Sequence, residues 1–331
     1  MIGLAKLAPG EGNVDLAERP ERPPGPGEVA LDVHAAGVCG TDLHIWLGEY
    51  DSVPPVTMGH EVCGTVAEVG EGVDPAWVGT RVAVETFFST CGVCPYCRAG
   101  RLSVCEQRRS IGTHVDGGFA PRLVLPARNL HRVPDGLTDA AAALTEPLAC
   151  VCNSLLDPSA VQPGDDVLVI GPGAIGLIAA QVARACGGRV TVRGAERDGA
   201  RLALAGVLGF ETSMAGRDEP PTADVVVECS GSGPGIADAL RAARRRGRVV
   251  QMGLRGADVT IPYDLICFHE LTVTAGFASN PLSWRRAMGL LEAGSVELAP
   301  LVTEVVPLTD WRRAFDASRA GEGVKFVIDP R

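Results

Sequence analysis

Apolar positions change their spacing part-way along the chain. Through the first 85 residues or so they fall in short β-rich runs punctuated by glycine and proline, which predicts strands at 28–33, 62–69 and 81–84. From residue 166 the pattern differs. A buried-strand run at 167–170 leads through a glycine turn into a helical stretch at 175–186 and then a further strand at 189–192. Strand, helix, strand predicts a parallel βαβ unit. The alternation continues with strands at 224–228, 248–252 and 271–275 and a helix near 235–246, so a doubly wound sheet is the economical account. After Phe277 come two amphipathic helices, around 281–293 and 309–320, and a last strand at 325–328. There is no internal repeat or low-complexity tract.

With 331 residues the chain has room for about two domains. At 46% hydrophobic and 21% charged residues it reads as globular, which excludes disordered and collagen-like classes. Thirty basic residues against forty acidic give a net charge of -10, so neither nucleic acid nor anionic lipid is an expected partner. The arginine runs at 244–246 and 312–313 are expected to be solvated helix faces. Lysine is nearly absent: 28 of the 30 basic residues are arginine, and only Lys6 and Lys325 are not. The longest uncharged stretch, 167–183, is shorter than the roughly 20 apolar residues of a membrane span. Residues 1–9 lack the basic head and apolar core of a secretory signal, so a cytoplasmic location is expected.

Four of the eleven cysteines, Cys91, Cys94, Cys97 and Cys105, are spaced C-x2-C-x2-C-x7-C. Four thiolates so spaced can close a tetrahedral shell around one structural zinc, and an iron–sulfur cluster is the rival occupant. Gly171-Pro-Gly-Ala-Ile-Gly176 matches G-x-G-x-x-G between a predicted strand and a predicted helix, the arrangement that brings a pyrophosphate to a helix N-terminus. The next strand should end in an acid that holds a ribose. It runs Arg193-Gly-Ala-Glu196-Arg197-Asp198, so Glu196 can reach the ribose hydroxyls of NAD, which is preferred, while Arg193 or Arg197 can instead meet the 2′-phosphate of NADP. Three distant segments carry further metal donors: Gly37-Val-Cys-Gly-Thr-Asp-Leu-His44, Gly59-His-Glu61 and Thr145-Glu-Pro-Leu-Ala149. Together a cysteine, a histidine and a carboxylate make the mixed S/N/O set of a catalytic zinc with one position left open.

These pieces, with Glu228-Cys-Ser-Gly231, resemble the zinc-dependent medium-chain alcohol dehydrogenases over nearly the full length, and most of all the sorbitol/polyol and threonine dehydrogenase branch. The resemblance implies an α/β architecture. A GroES-like β-rich catalytic domain would occupy 1–152 and carry the structural zinc lobe at 91–105, a Rossmann domain with a doubly wound parallel sheet would occupy 153–277, and 278–331 would return to the catalytic domain. It also implies a catalytic zinc on Cys39, His60 and Glu146, with Glu61 beside the metal and exchanging with water. Thr41 and His44 would form a proton relay, and Asp42 would orient His60. The expected cofactor contacts are Gly171, Gly173, Ile175, Gly176, Glu196 and Arg201. Two zinc ions per chain, NAD or alternatively NADP, and a homo-oligomer (dimer or tetramer) follow in the same way.

The implied reaction is hydride transfer between a secondary, polyol-like alcohol and NAD(P). The polyol branch's Arg-Tyr pair is replaced here by Gly276-Phe-Ala-Ser-Asn280, which speaks against sorbitol itself. The Thr-Asp-Leu-His-Ile-Trp run ending at Trp46 is closer to threonine dehydrogenases, so a 2-amino-3-hydroxy acid is the alternative. Trp46 and Phe119 are candidate pocket walls, whereas His34, His114, His131 and His269 lie in no motif. A non-catalytic zinc and nucleotide sensor is the reading from another class, and the complete set Cys39, Thr41, His44, His60 and Glu146 argues against it.

Overall fold

A computed structural model describes all 331 residues, and they form two units. The first comprises Met1–Glu146, Ser279–Trp284 and Leu298–Arg331; the second comprises Pro147–Ala278 and Arg285–Glu297. The helix Pro281–Glu292 is therefore divided between them.

In the first unit a seven-stranded sheet runs in the order Leu130–Arg132, Arg81–Val84, Glu61–Val69, Glu28–Gly37, Lys325–Asp329, Val302–Pro307, with Arg122–Pro126 also paired to Glu28–Gly37. Glu28–Gly37 is the hub, and Val29, Leu31, Val33 and Ala36 on it are fully buried. Its partners supply the rest of that core through Val62, Val66, Val82, Leu125, Phe326 and Ile328. In register, Gly37 lies opposite Glu61 on one neighbour and Val327 on the other. The hub strand then passes into the short helix Gly40–Trp46, whose start is fixed by Asp42 Oδ2 accepting from Cys39 N at 2.9 Å, a capping arrangement.

Phe119 is a core residue rather than a pocket wall, and Trp46 is partly buried against the same core. Trp46 packs edge-on against Trp311 and Phe315, and Phe119, also edge-on to Phe315, has no exposed surface. Their aromatic area is more favourably buried against the helix Trp311–Ala320 than exposed.

The second unit is a six-stranded, all-parallel sheet in the order Glu211–Met214, Arg189–Gly194, Asp166–Ile170, Ala223–Glu228, Ala243–Gln251, Thr272–Ala275. Numbered along the chain this is third, second, first, fourth, fifth, sixth, the order of a doubly wound dinucleotide fold. Both faces of the central strands are covered, which is why Ala223–Glu228 is buried throughout. The run Arg244–Arg246 is exposed as expected but lies on a strand, because the preceding helix ends at Ala242 and Ala243 already pairs with Ala223. No helix is long and apolar enough to cross a membrane.

Candidate metal centres and nucleotide turn

Donor atoms of Cys39, His60 and Glu61 lie within 4.8 Å of one another, although the residues come from the end of the hub strand, the turn before its neighbour and that neighbour's first position. His60 and Glu61 are buried, and Cys39 is partly exposed. His60 Nδ1 faces Asp42 Oδ1 at 3.8 Å, which leaves Nε2 as the nitrogen to offer a cation. Both facing atoms are buried without a hydrogen-bond partner. Burial alone would push the imidazole down, but Cys39, Asp42 and Glu146 outweigh it and the ring is held well above its ordinary pKa. Burial likewise pushes the Asp42 carboxyl up. This is an acid-rich cage around one imidazole, and a divalent cation suits it: the metal would take Nε2 and leave the ring proton on Nδ1, towards Asp42.

Glu146, in the first turn of the helix Thr145–Leu156, stands outside the close trio. Its Oε1 accepts from Thr86 Oγ1 at 2.9 Å, and it is near enough for its charge to act on His60. Thr41 Oγ1 is 3.8 Å from Cys39 Sγ. His44 pairs through Nδ1 with Glu49 Oε2 at 2.7 Å, and its side chain is 43% exposed.

The sulfurs of Cys91, Cys94, Cys97 and Cys105 also lie within 4.8 Å of one another. Cys91 and Cys97 Sγ are 3.9 Å apart, close to the roughly 3.8 Å expected between ligands of a tetrahedral zinc with Zn–S bonds of about 2.3 Å. A multi-iron cluster would need the sulfurs spread further, so the geometry favours a single ion over the rival. Backbone N–H groups of Val93 and Cys94 hold the Cys91 thiol down at about 6, favouring the thiolate a metal requires.

In the second unit Gly171 has φ +98, and a Cβ there would lie 2.7 Å from Ser230 N. A Cβ on Gly176 would come within 1.8 Å of Gly171 O, whereas one on Gly173 would meet nothing within 4 Å. Turn, close packing and open space for a ligand thus fall on the first, third and second glycines of the motif. The helix Ala174–Ala185, with Ile175 in its first turn, starts there. Glu196 follows in the turn after Arg189–Gly194, exposed and paired with Arg217 at 3.1 Å, and Arg201 lies 3.4 Å from Asp198. Arg193 is withdrawn from any 2′-phosphate: it is buried, with Nη1 donating to Ser213 Oγ at 2.6 Å and Nη2 to Asp218 O at 3.1 Å.

Residues 25–135 match the family model described as Alcohol dehydrogenase GroES-like domain, and 174–293 the model described as Zinc-binding dehydrogenase. The sorbitol dehydrogenase of Halalkalibacterium halodurans is 36% identical, covering 100% of this chain and 99% of that protein. The L-threonine 3-dehydrogenase of Deinococcus radiodurans is 33% identical, covering 99% of this chain and 98% of that protein. The chain belongs to the zinc-dependent medium-chain alcohol dehydrogenase family.

A Sinorhizobium meliloti protein described as a zinc-binding dehydrogenase and solved bound to NADP superposes with a TM-score of 0.90 at 32% identity, covering 99% of both chains. Two residues that sequence reasoning left without a role stand out in this dehydrogenase. Lys325 is buried, and its Nζ donates to Glu61 Oε1 at 2.7 Å, Glu61 Oε2 at 2.9 Å and Val38 O at 3.0 Å. Burial would lower that ammonium, but Glu61, Cys39 and Glu146 raise it above its ordinary value. Glu228, at the carboxyl end of a central strand of the second unit, has no exposed surface. It accepts from Ser230 N at 2.8 Å, Gly231 N at 3.1 Å, Gln251 Nε2 at 2.7 Å and the Ser230 hydroxyl. The rarity of lysine was the one sequence signal for the first; the motif Glu228-Cys-Ser-Gly231 marked the second without saying what it does.

Proposed function

We propose that this dehydrogenase oxidises a secondary hydroxyl of a small polyol-like substrate with NAD. One zinc would sit on Cys39, His60 and Glu146, and a second in the four-cysteine lobe. The observation that carries the reading is the convergence of Cys39, His60 and Glu61 within 4.8 Å from separate stretches of chain. When bound, zinc supplies a Lewis acid that brings an alcohol's pKa towards neutrality, and the nicotinamide supplies the hydride acceptor.

The protein's own residues do the rest. Asp42 fixes the start of the helix that presents Cys39 through Oδ2, and its Oδ1 faces His60 Nδ1 at 3.8 Å, where it would orient the ring once a metal takes Nε2. Thr41 accepts the alcohol proton while passing its own hydroxyl proton on towards His44, and half-exposed His44, aligned by Glu49, releases a proton to solvent. The catalytic part is the unit Met1–Glu146, Ser279–Trp284 and Leu298–Arg331, and the nucleotide part is Pro147–Ala278 with Arg285–Glu297, so the expected boundaries at 152 and 277 shift and the segment after 278 does not return as one piece. In the nucleotide part Gly171, Gly173, Ile175 and Gly176 frame the pyrophosphate, Glu196 accepts the ribose hydroxyls, and Arg201 steadies that turn through Asp198. The seclusion of Arg193 removes it as a 2′-phosphate contact, while exposed Arg197 in the turn Glu196–Asp198 keeps NADP as the alternative cofactor.

A 2-amino-3-hydroxy acid is the second reading. Asn280, where a polyol grip is expected, accepts from Ser103 N at 3.0 Å and so anchors the cysteine lobe instead. The strand Thr272–Ala275 ends its sheet, with Val273, Phe268 and Tyr263 exposed nearby, and supports a homo-oligomer.

The test is Cys39→Ser. Alcohol-dependent NAD reduction should be abolished while dinucleotide binding survives, with polyols, simple secondary alcohols and threonine compared as substrates. Near-wild-type turnover in that variant overturns the reading.

A further inference from the structure

Lys6, one of only two lysines in a chain that otherwise uses arginine, is buried, with 1% of its surface exposed. It ends the strand Ile2–Lys6, opposite Val14 of the strand Val14–Glu18, so the residues between the two form the turn of a hairpin. Its Nζ folds back into that turn and donates to Gly10 O and, at 2.6 Å, to Gly12 O. No carboxylate pairs with it, and burial lowers its pKa. An enclosed ammonium without a counter-charge is costly, so its use is to be sought in the carbonyls it gathers.

The turn that supplies those carbonyls meets the end of the helix Gly40–Trp46, which carries Thr41 and His44. Gly12 N donates to Trp46 O at 2.7 Å, satisfying one of the carbonyls left open at a helix C-terminus. Gly48, just beyond that end, has φ +73, and a Cβ on it would lie 2.7 Å from Glu11 N and 2.8 Å from Gly10 C. Only glycine lets the two segments approach so closely. Glu49 follows at once: its N–H donates to His44 O at 2.8 Å, and its Oε2 meets His44 Nδ1 at 2.7 Å.

Gly10, Gly12 and Asn13 all take left-handed φ values, +90, +68 and +51, a path that brings two carbonyls of one turn to a single point. Without a cation there, both would lack donors and the turn would relax outward. A compact ammonium suits such a point and a planar guanidinium does not, which accounts for lysine in an arginine-rich chain.

Resting on the relay reading above, we infer that Lys6 is a positioning residue for His44. Its ammonium is a built-in cation that shapes the hairpin turn; the turn holds the end of the relay helix at Trp46 and Gly48, and Glu49 leaves that fixed point to align the imidazole. Asp42 secures the start of the same helix, and Lys6 secures its end.

The test measures alcohol-dependent NAD reduction by the full-length protein with and without added N-ethylmorpholine, a hindered base that can take up the proton a misplaced His44 no longer carries. Lys6→Met should lower turnover by about 10- to 100-fold, the range for a displaced proton-transfer group, with KM for NAD unchanged. The added base should restore much of that loss, as it should for His44→Ala, and should leave wild type as it was. Should Lys6→Met not fold, Gly48→Ala parts the turn from the helix end on the opposite side and should show the same restorable loss.

Wild-type turnover in either folded variant overturns the inference. So does a loss that the base leaves uncorrected while correcting His44→Ala, since a lysine that only stabilises the hairpin lowers the melting temperature and responds to no added base. If the base corrects neither, the relay reading fails and the inference falls with it, a result distinct from the other two.

Discussion

The absence of one methyl group at Gly37 decides which side chains share the metal cage, because the space it vacates is filled by the carboxylate of Glu61. The same scale governs acid sensitivity at His114, a residue with no catalytic part. Its Nδ1 accepts from Ser110 N at 3.2 Å, which requires a neutral imidazole. Burial, then Arg108 and Arg109, lower its pKa in the folded protein. A depressed histidine pKa means the unfolded chain binds the proton more readily. The neutral ring's contribution is therefore intact above the unfolded value of about 6.5 and is lost as pH falls below it. Urea unfolding at pH 7.5 and pH 5.5, conditions roughly one unit either side of that value, should show wild type losing more stability on acidification than His114→Gln. Equal losses would contradict the assignment. Cysteine and histidine can be read as ligand candidates from residue type and spacing alone. Lys325 cannot, since its meeting with Glu61 depends on which strands pair and in what register.

Elements hold the nucleotide turn in place through Glu228, which ties the loop after its own strand to the one after Ala243–Gln251: Met252 N and Gly253 N also donate to its backbone carbonyl at 2.8 and 2.9 Å. Ser230, bound by the Glu228 side chain, lies against Gly171. Glu228→Gln puts an NH2 group among donors and leaves buried groups unpaired, at a cost of about 1–3 kcal/mol. A melting temperature lower by several degrees and NADH affinity weaker by about tenfold are expected, by thermal unfolding and fluorescence titration. Lowered stability with unchanged affinity would reduce Glu228 to a structural role. The central strands and the helices at 174–185 and 233–242 of this unit were legible because the 3.6-residue pattern and the buried runs alternate there, whereas the helix Gly199–Val207 and the edge strand Glu211–Met214 were not anticipated. The end of Gly233–Ala242 was not, because arginines at 244–246 suit an exposed strand end as well as a helix face, and pairing with Ala223 decides the matter.

Over the whole molecule, the parallel sheet followed from local order, since all its strands but Glu211–Met214 are joined to the next by a helix and handedness leaves few topologies. The mixed sheet of the first unit did not. Its hub, Glu28–Gly37, pairs with Lys325–Asp329 from the other end of the chain, a contact that no local pattern announces. The metal cage inherits that property: it joins residues about 20 to nearly 290 positions apart in sequence, from Cys39 and His60 to Lys325 beside Val38. Its occupancy is therefore the most direct check on the enzyme as a whole. Anomalous-scattering maps of metal-replete crystals at the zinc edge should show two peaks per chain, one about 2.0–2.3 Å from Cys39 Sγ and a His60 nitrogen, the other among Cys91, Cys94, Cys97 and Cys105. A map with density only in the cysteine lobe, with Cys39 and His60 turned away from each other, would contradict the zinc dehydrogenase reading.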